Sequence, residues 1–166
     1  MQTPTPDRFN SAAYRSVLSP DPVPNCALIA DGVLSTITQA GCAGYPYEVC
    51  GLLIGSTTPS GDWSISEARQ VDNVSRERVA DRFLLDPVGY KQIDSELRSS
   101  SLDIIGVFHS HPDCPARPSP TDCEAAWEGL LYPIVSICQG ESAETLWWTL
   151  SSDGKQFHQV VAKICA

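Results

Sequence analysis

Four residues with side chains able to do chemistry follow one short apolar run of the sequence. His109, His111, Ser119 and Asp122 come just after residues that have the length and the bounding turn signals of a buried strand. Because alternate residues of a strand point to the same face, the two histidines can converge on one point while Ser110 faces away. Two imidazoles and a carboxylate form a ligand set for catalytic zinc that leaves a fourth position for water. The spacing therefore predicts a metal-dependent hydrolase with His109, His111 and Asp122 as ligands.

A glutamate in a separate, earlier segment completes a two-block pattern. Glu48 lies in Pro46-Tyr-Glu-Val-Cys-Gly-Leu-Leu-Ile-Gly55, and the later block reads His-x-His, seven residues, then Ser-x-x-Asp. Together the blocks resemble the signature of the JAMM (MPN-plus, Mov34/PAD-1, JAB) metallopeptidase family, with similarity over about Leu28 to Ile164. The resemblance implies one Zn²⁺ per chain, Glu48 as general base and then general acid, and Ser119 as a donor to the developing oxyanion. It also implies an α/β fold, a single-domain curved mixed β-sheet flanked by helices of the cytidine-deaminase-like (JAB/MPN) type.

Some of these residues, and two others, also have a purely structural interpretation. Ser119 and Asp122 fit a helix N-terminus, with Ser as N-cap and an acid at the third helical position, and this is compatible with metal binding by Asp122. Cys114, three residues after the second histidine, is interpreted either as a regulatory thiol or fourth zinc ligand, or as a loop cysteine without a role. The third histidine, His158, is interpreted as structural or solvated.

The resemblance is closest to short, free-standing bacterial members that resemble sulfur-carrier-protein peptidases. It implies hydrolysis of the bond after the C-terminal Gly-Gly of a small ubiquitin-like or sulfur-carrier protein, for example releasing cysteine from a carrier–cysteine adduct. Two alternatives remain open: removal of a ubiquitin-like modifier from protein lysines, and a non-catalytic MPN scaffold. A deaminase is disfavoured because His-x-Glu and Cys-x-x-Cys are both missing.

Composition limits the classes of partner. The formal net charge is -9 and the sequence pI is about 4.6, which disfavours nucleic acid and anionic membranes. No apolar run approaches the roughly 20 residues of a membrane span, and the first residues lack a signal-peptide pattern. The seven cysteines are odd in number without a Cys-x-x-Cys pair, so we expect a reducing cytoplasm. The densest basic segment contains Arg69, Arg76, Arg78 and Arg82, and it fits either an acidic partner or a solvated loop. The oligomeric state is not predicted.

The elements that must position these residues can be predicted coarsely. Residues 1–25 are proline-rich and predict a flexible N-terminal tail, followed by one metallopeptidase domain over 26–166. Periodicity predicts helices over 27–40, 86–98 and 119–129. It predicts strands over 49–54, 63–71, 103–109, 133–138, 145–150 and 156–164, with a hairpin turn around Gly140.

Overall fold

The structure is a computed structural model, and it describes residues 2–76 and 81–165; Arg78, one of the predicted basic residues, lies outside them. The N-terminal segment forms a 3-10 helix, Asp7–Asn10, and α1, Ala12–Ser16. The other helices are α2 Val33–Gly44, α3 Pro87–Leu97 and α4 Pro120–Ala125. The strands are β1 Cys26–Ala30, β2 Cys50–Thr57, β3 Trp63–Val71, β4 Asp103–Pro112, β5 Leu131–Cys138, β6 Glu141–Leu150 and β7 Phe157–Cys165.

All seven strands belong to one mixed sheet, which closes on itself. The order is β1-β3-β2-β4-β5-β6-β7, and β7 pairs with β1. The pairs β1/β3, β1/β7 and β4/β5 are parallel, and the other four are antiparallel. A mixed sheet with a few helices was predicted correctly. The predicted form, a curved sheet flanked by helices, differs from the structure, because the sheet closes into a barrel.

The closure comes from a strand that the sequence analysis assigned to a helix. Cys26–Ala30 was predicted as the start of the helix over 27–40, but it is β1, with alternating burial and partners on both sides. The apolar residues Leu28 and Ile29 also fit helical spacing with Val33 and Ile37, so periodicity alone joined two elements. Gly32 separates the two elements. Its φ of 86° is a backbone conformation that glycine adopts without strain.

The other predicted elements are confirmed within a few residues. Asp86 caps α3 by accepting hydrogen bonds from the backbone N–H groups of Val88 and Gly89. The β5–β6 hairpin turns at Gln139 and Gly140, both with positive φ, as tight hairpin turns require. α4 is shorter than predicted, ending at Ala125 rather than near Gly129.

The N-terminal segment predicted as a tail packs against the domain. Phe9 and Val17 are 4% and 7% exposed. Phe157 at the start of β7 donates a backbone hydrogen bond to the Val17 carbonyl and accepts one from Ser19. The domain boundary at residue 26 stays a prediction. In the described part of the chain, no helix has both the length and the apolar character needed to cross a membrane.

Two apolar clusters fill the molecule. One includes Ile37 of α2 with Leu53 and Phe108, and the other includes Ile93 of α3 with Leu52 and Val107. Neighbouring residues of β2 and β4 therefore contribute to both clusters, as expected for strands covered on both faces. β4, which carries the two histidines, is consequently fixed between two packed layers.

Candidate metal centre

The two histidines lie side by side at the end of β4. His109 and His111 are 2% and 5% exposed, and their Nε2 atoms are 3.0 Å apart. Ser110 between them points to the opposite side, as the strand period requires. The predicted convergence of the imidazoles is present in the structure.

Asp122 is brought to the imidazoles by the N-terminus of α4. Ser119 is the N-cap: its Oγ accepts from the backbone N–H of Asp122 at 3.1 Å, and its own N–H donates to Asp122 Oδ2 at 2.8 Å. This capping box fixes the carboxylate in the first helical turn. Asp122 Oδ1 then lies 3.3 Å from His109 Nε2, and Oδ2 lies 3.4 Å from His111 Nε2. The capping and metal-binding interpretations of this turn are thus compatible.

The three side chains fit a zinc ion. Ligand atoms of one tetrahedral zinc lie about 3.3 Å from one another, given bonds of about 2.0–2.1 Å. Here the two Nε2 atoms are 3.0 Å apart, and Asp122 approaches them at 3.3 and 3.4 Å, through a different oxygen for each imidazole. His111 Nδ1 is 2.8 Å from the Pro115 carbonyl, so the proton belongs on Nδ1 and the Nε2 lone pair is available to a cation. The same donors also suit iron, manganese or cobalt.

Glu48 precedes β2 and is held close to the histidines by backbone contacts. Val49, the next residue, donates its N–H to Ser110 Oγ at 2.9 Å and accepts from the Ser110 N–H at 3.0 Å. Asn73 Nδ2 donates to the Glu48 carbonyl at 3.0 Å. The Glu48 side chain is 5% exposed, and its Oε1 lies 4.0 Å from His111 Nε2. The carboxyl group of Glu48 therefore lies beside the imidazole pair.

The environment drives the two buried carboxyl groups in opposite directions. Burial raises the pKa of Glu48 to about 8, and the carboxylate of Asp122 adds to this. Burial would also raise the pKa of Asp122, but the imidazoles of His109 and His111 outweigh it and hold that pKa well below its usual range. Asp122 is therefore ionised, as a ligand must be, whereas Glu48 has a proton affinity suited to proton transfer. A bound cation lowers the Glu48 pKa again.

A small cavity faces Glu48, Ser119 and His111. Its volume is about 30 Å³, room for about one water. The Ser119 Oγ accepts from Asp122, and no acceptor for its hydroxyl hydrogen lies among the described residues, so the hydrogen is free to donate into the cavity.

Cys114 lines this cavity without joining the ligands. Its Sγ accepts a hydrogen bond from Arg8 at 3.2 Å, and the group of converging metal-binding atoms in the described residues comprises only the two histidines and Asp122. Burial raises the pKa of the Cys114 thiol. The structure thus gives Cys114 a place in the cavity wall, and a regulatory role stays a prediction.

An apolar groove approaches the ligands from the other side. It has a volume of about 480 Å³, and its lining includes His109 and Asp122. Phe83 stacks on the His109 ring with centroids 4.6 Å apart. Leu84 and Trp127, also along the groove, are 59% and 73% exposed.

Two other predicted features lie away from the chemistry. Arg69 of the basic segment makes ion pairs with Glu67 and Glu96, both at 2.6 Å, which fits a surface role. His158 Nδ1 contacts the Asp21 carbonyl at 2.7 Å, which agrees with its structural interpretation.

Sequence analysis missed four residues that contribute to the site. Ser110 carries the contact that holds the Glu48 segment, and its only sequence signal was its outward place between the histidines. Phe83 stacks on His109 from a distant loop. Arg8 and Phe9 wall the cavity from the N-terminal segment, where nothing in the local pattern pointed to the site.

Comparison with known proteins identifies the family of the chain. A curated protein from Haloferax volcanii named Desampylase is 37% identical over 108 residues, 64% of this chain and 74% of that protein. A second Desampylase, from Pyrococcus furiosus, is 30% identical over 108 residues, 65% and 70% of the two chains. Two solution structures are similar. The protein from Salinibacter ruber has a TM-score of 0.64 and 36% identity over 81% of this chain and 90% of its own. The protein from Desulfitobacterium hafniense has a TM-score of 0.72 and 22% identity. The match covers 84% of this chain and 92% of that chain, and it shows the fold alone. Residues 30–150 match the prokaryotic homologs of the JAB domain, and the chain belongs to that family.

Proposed function

We propose that the protein is a zinc-dependent peptidase or isopeptidase that hydrolyses the bond after the C-terminal Gly-Gly of a small ubiquitin-like or sulfur-carrier protein. The observation that carries the proposal is the convergence of His109, His111 and Asp122, with Glu48 4.0 Å from His111 Nε2. A scaffold has no physical need for a buried carboxyl group beside an imidazole pair, because burying such groups costs free energy.

The reaction requires a nucleophile, a proton carrier and a donor to the carbonyl oxygen. A zinc ion held by His109, His111 and Asp122 would polarise the scissile carbonyl and lower the pKa of a water beside it. Glu48 takes a proton from the attacking water as the C–O bond forms, and gives it to the amine nitrogen as the C–N bond breaks. The Ser119 hydroxyl donates to the oxygen on which negative charge develops.

The apolar groove supports a protein tail as substrate. Its lining includes His109 and Asp122, so a chain lying in it can present its terminal carbonyl to the ligands. The closed sheet leaves no free edge in the strands described, so addition of the tail as a further strand on β1–β7 is disfavoured. Two terminal glycines suit the part of the groove beside His109, where the stacked ring of Phe83 occupies space.

The curated relatives support this class of substrate. Both are named Desampylase, a name that denotes removal of an attached modifier. On this support, a ubiquitin-like partner is the proposed substrate, and the amine released is either an amino acid or a protein lysine. All seven cysteines are free thiols, which supports a reducing compartment such as the cytoplasm.

Zinc content and turnover test the proposal together. We expect about one zinc per chain in the purified protein by elemental mass spectrometry, and cleavage of a ubiquitin-like protein extended beyond its Gly-Gly. Asp122→Ala removes a ligand and should lose both zinc and cleavage. Glu48→Gln keeps the ligands and should retain zinc while losing cleavage. Removal of zinc by a chelator should abolish cleavage, and added zinc should restore it.

Matched controls test whether the effects are specific to the site or follow from the loss of any carboxylate. Asp103→Ala and Glu128→Gln change exposed carboxylates away from the cavity and should leave zinc and turnover unchanged. Failure to bind zinc after reconstitution would contradict the proposal and favour the scaffold. Full turnover by Glu48→Gln would contradict the assignment of the proton carrier.

A further inference from the structure

The cavity beside Glu48 has a wall that the family match does not include. Arg8, Phe9 and Tyr14 line it, whereas the matched region begins at residue 30. Phe9 is 4% exposed and its ring meets His111 edge-on, with centroids 6.3 Å apart. The segment is fixed at both ends, by Thr3 Oγ1 to Ser136 Oγ at 2.9 Å and by the backbone contacts of Val17 with Phe157. The N-terminal segment is therefore part of the site rather than a tail beside it.

Under the proposed mechanism, this wall lies beside the departing amine, because it shares a cavity with Glu48. The amine must receive its proton from Glu48, so it lies within hydrogen-bond reach of that carboxyl group. The apolar groove reaches the ligands at His109 and Asp122, whereas Glu48, Ser119 and Arg8 line the small cavity. A tail in the groove consequently points its leaving group towards Arg8.

Most N–H donors of the Arg8 guanidinium have no hydrogen-bond partner among the described residues. Its one side-chain hydrogen bond within the described residues goes to Cys114 Sγ at 3.2 Å, and sulfur is a weak acceptor. No carboxylate of the described chain lies within ion-pair distance of it. Its charge nonetheless reaches the carboxyl group of Glu48, whose pKa it lowers against the larger effect of burial. An arginine that lines the same cavity as Glu48 and has such a weak hydrogen-bond partner is suited to bind an anion on the substrate.

From this geometry we infer that Arg8 is a specificity-determining residue that binds the free α-carboxylate of an amino-acid leaving group. The inference rests on the proposed function and narrows it. The α-carboxylate of an amino acid lies two covalent bonds from the scissile nitrogen, so Arg8 can meet it by turning away from Cys114. A lysine side chain places its own carboxylate several bonds further away, and a folded protein behind it meets Phe9 and Tyr14.

Binding to a catalytically inactive protein tests Arg8 directly. The probes are a small ubiquitin-like protein ending in Gly-Gly plus one alanine, made with a free carboxylate or as a carboxamide, and the same protein joined to a lysine side chain. With Glu48→Gln in the full chain, calorimetry should give about 10- to 100-fold tighter binding of the acid than of the amide. Adding Arg8→Met should remove that preference, and Arg8→Lys should restore part of it. Arg15→Met, exposed on α1 outside the cavity, should keep it.

The acid-to-amide ratio distinguishes recognition from mere packing of the segment. A structural role for Arg8 would weaken acid, amide and lysine probes equally in Arg8→Met. Such equal weakening overturns the inference, and so does an acid preference that survives Arg8→Met. Loss of the acid preference in Arg82→Met instead of Arg8→Met also overturns it. If the zinc-loaded parent cleaves no probe at all, this result contradicts the proposed function. Cleavage of acid and amide with the same KM contradicts only the role of Arg8.

Discussion

Ser110→Ala tests how Glu48 is positioned without touching the ligands. The Ser110 side chain is fully buried, and its Oγ accepts from the Val49 N–H at 2.9 Å. Alanine removes the acceptor and leaves a buried N–H unpaired, which costs about 1–3 kcal/mol of the free energy of unfolding. For a chain of this length, each kcal/mol lowers the Tm by about 2–4 °C.

The same substitution should reduce turnover. Glu48 directly precedes Val49, so loss of this contact lets the carboxyl group move relative to His111, and a displacement of about 1 Å can cost about 100-fold in rate. We expect kcat to fall while zinc content stays at the parental value, because both imidazoles and Asp122 keep their contacts. Urea unfolding, elemental mass spectrometry and steady-state kinetics on one preparation measure all three quantities.

Two variants calibrate the effect. Ser110→Cys keeps a weak acceptor at the same position and should lie between alanine and the parent. Ser66→Ala on β3 changes an exposed serine and should alter the free energy of unfolding by less than about 0.5 kcal/mol. If Ser110→Ala unfolds at the parental urea concentration and turns over at the parental rate, the reasoning about this contact is wrong.

Two further predictions concern the glycine of the first block and the cavity thiol. Gly51→Ala should lower the free energy of unfolding by about 1–3 kcal/mol in urea, because its Cβ would clash with the Arg69 carbonyl oxygen and the Phe108 ring. Parental stability would contradict this. Cys114 should react with iodoacetamide more slowly than exposed Cys165 at pH 8, and its rate should rise as the pH rises, because burial raises the pKa of the Cys114 thiol and only the thiolate reacts. Equal rates by mass spectrometry would contradict this and support the regulatory hypothesis, as would a loss of peroxide response in Cys114→Ser.

The parts of the site that the sequence predicted depend on local periods. The i, i+2 spacing of His109 and His111 on a strand, and the capping pattern of Ser119 and Asp122, are both set by neighbours a few residues away. The structure brings these side chains together, and their roles as ligands and donor stay predictions. Glu48 joined them only through the family resemblance, because its placement depends on pairing between β2 and β4.

The parts that were missed depend on contacts between distant residues. Arg8 and Cys114 are separated by 106 positions, and proline-rich composition around Arg8 carries no information about where the segment packs. β1 was assigned to a helix because Leu28 and Ile29 fit both periods, and its partners β3 and β7 lie far along the chain. Barrel closure therefore could not follow from a local pattern.

The register of β4 links the sheet to the chemistry. Cys50 of β2 lies opposite His109, and Ile134 of β5 lies opposite the same residue on the other side. A slip of one residue would turn both imidazoles to the opposite face and bring Ser110 to the site. A slip of register is resisted on both sides of β4. Gly51 of β2 admits the Phe108 ring, where a larger residue would clash, and Gly106 lies against the Leu131 carbonyl of β5. Closure of the barrel removes the free edges along which strands slide. The catalytic geometry thus depends on glycines that touch none of the reacting atoms.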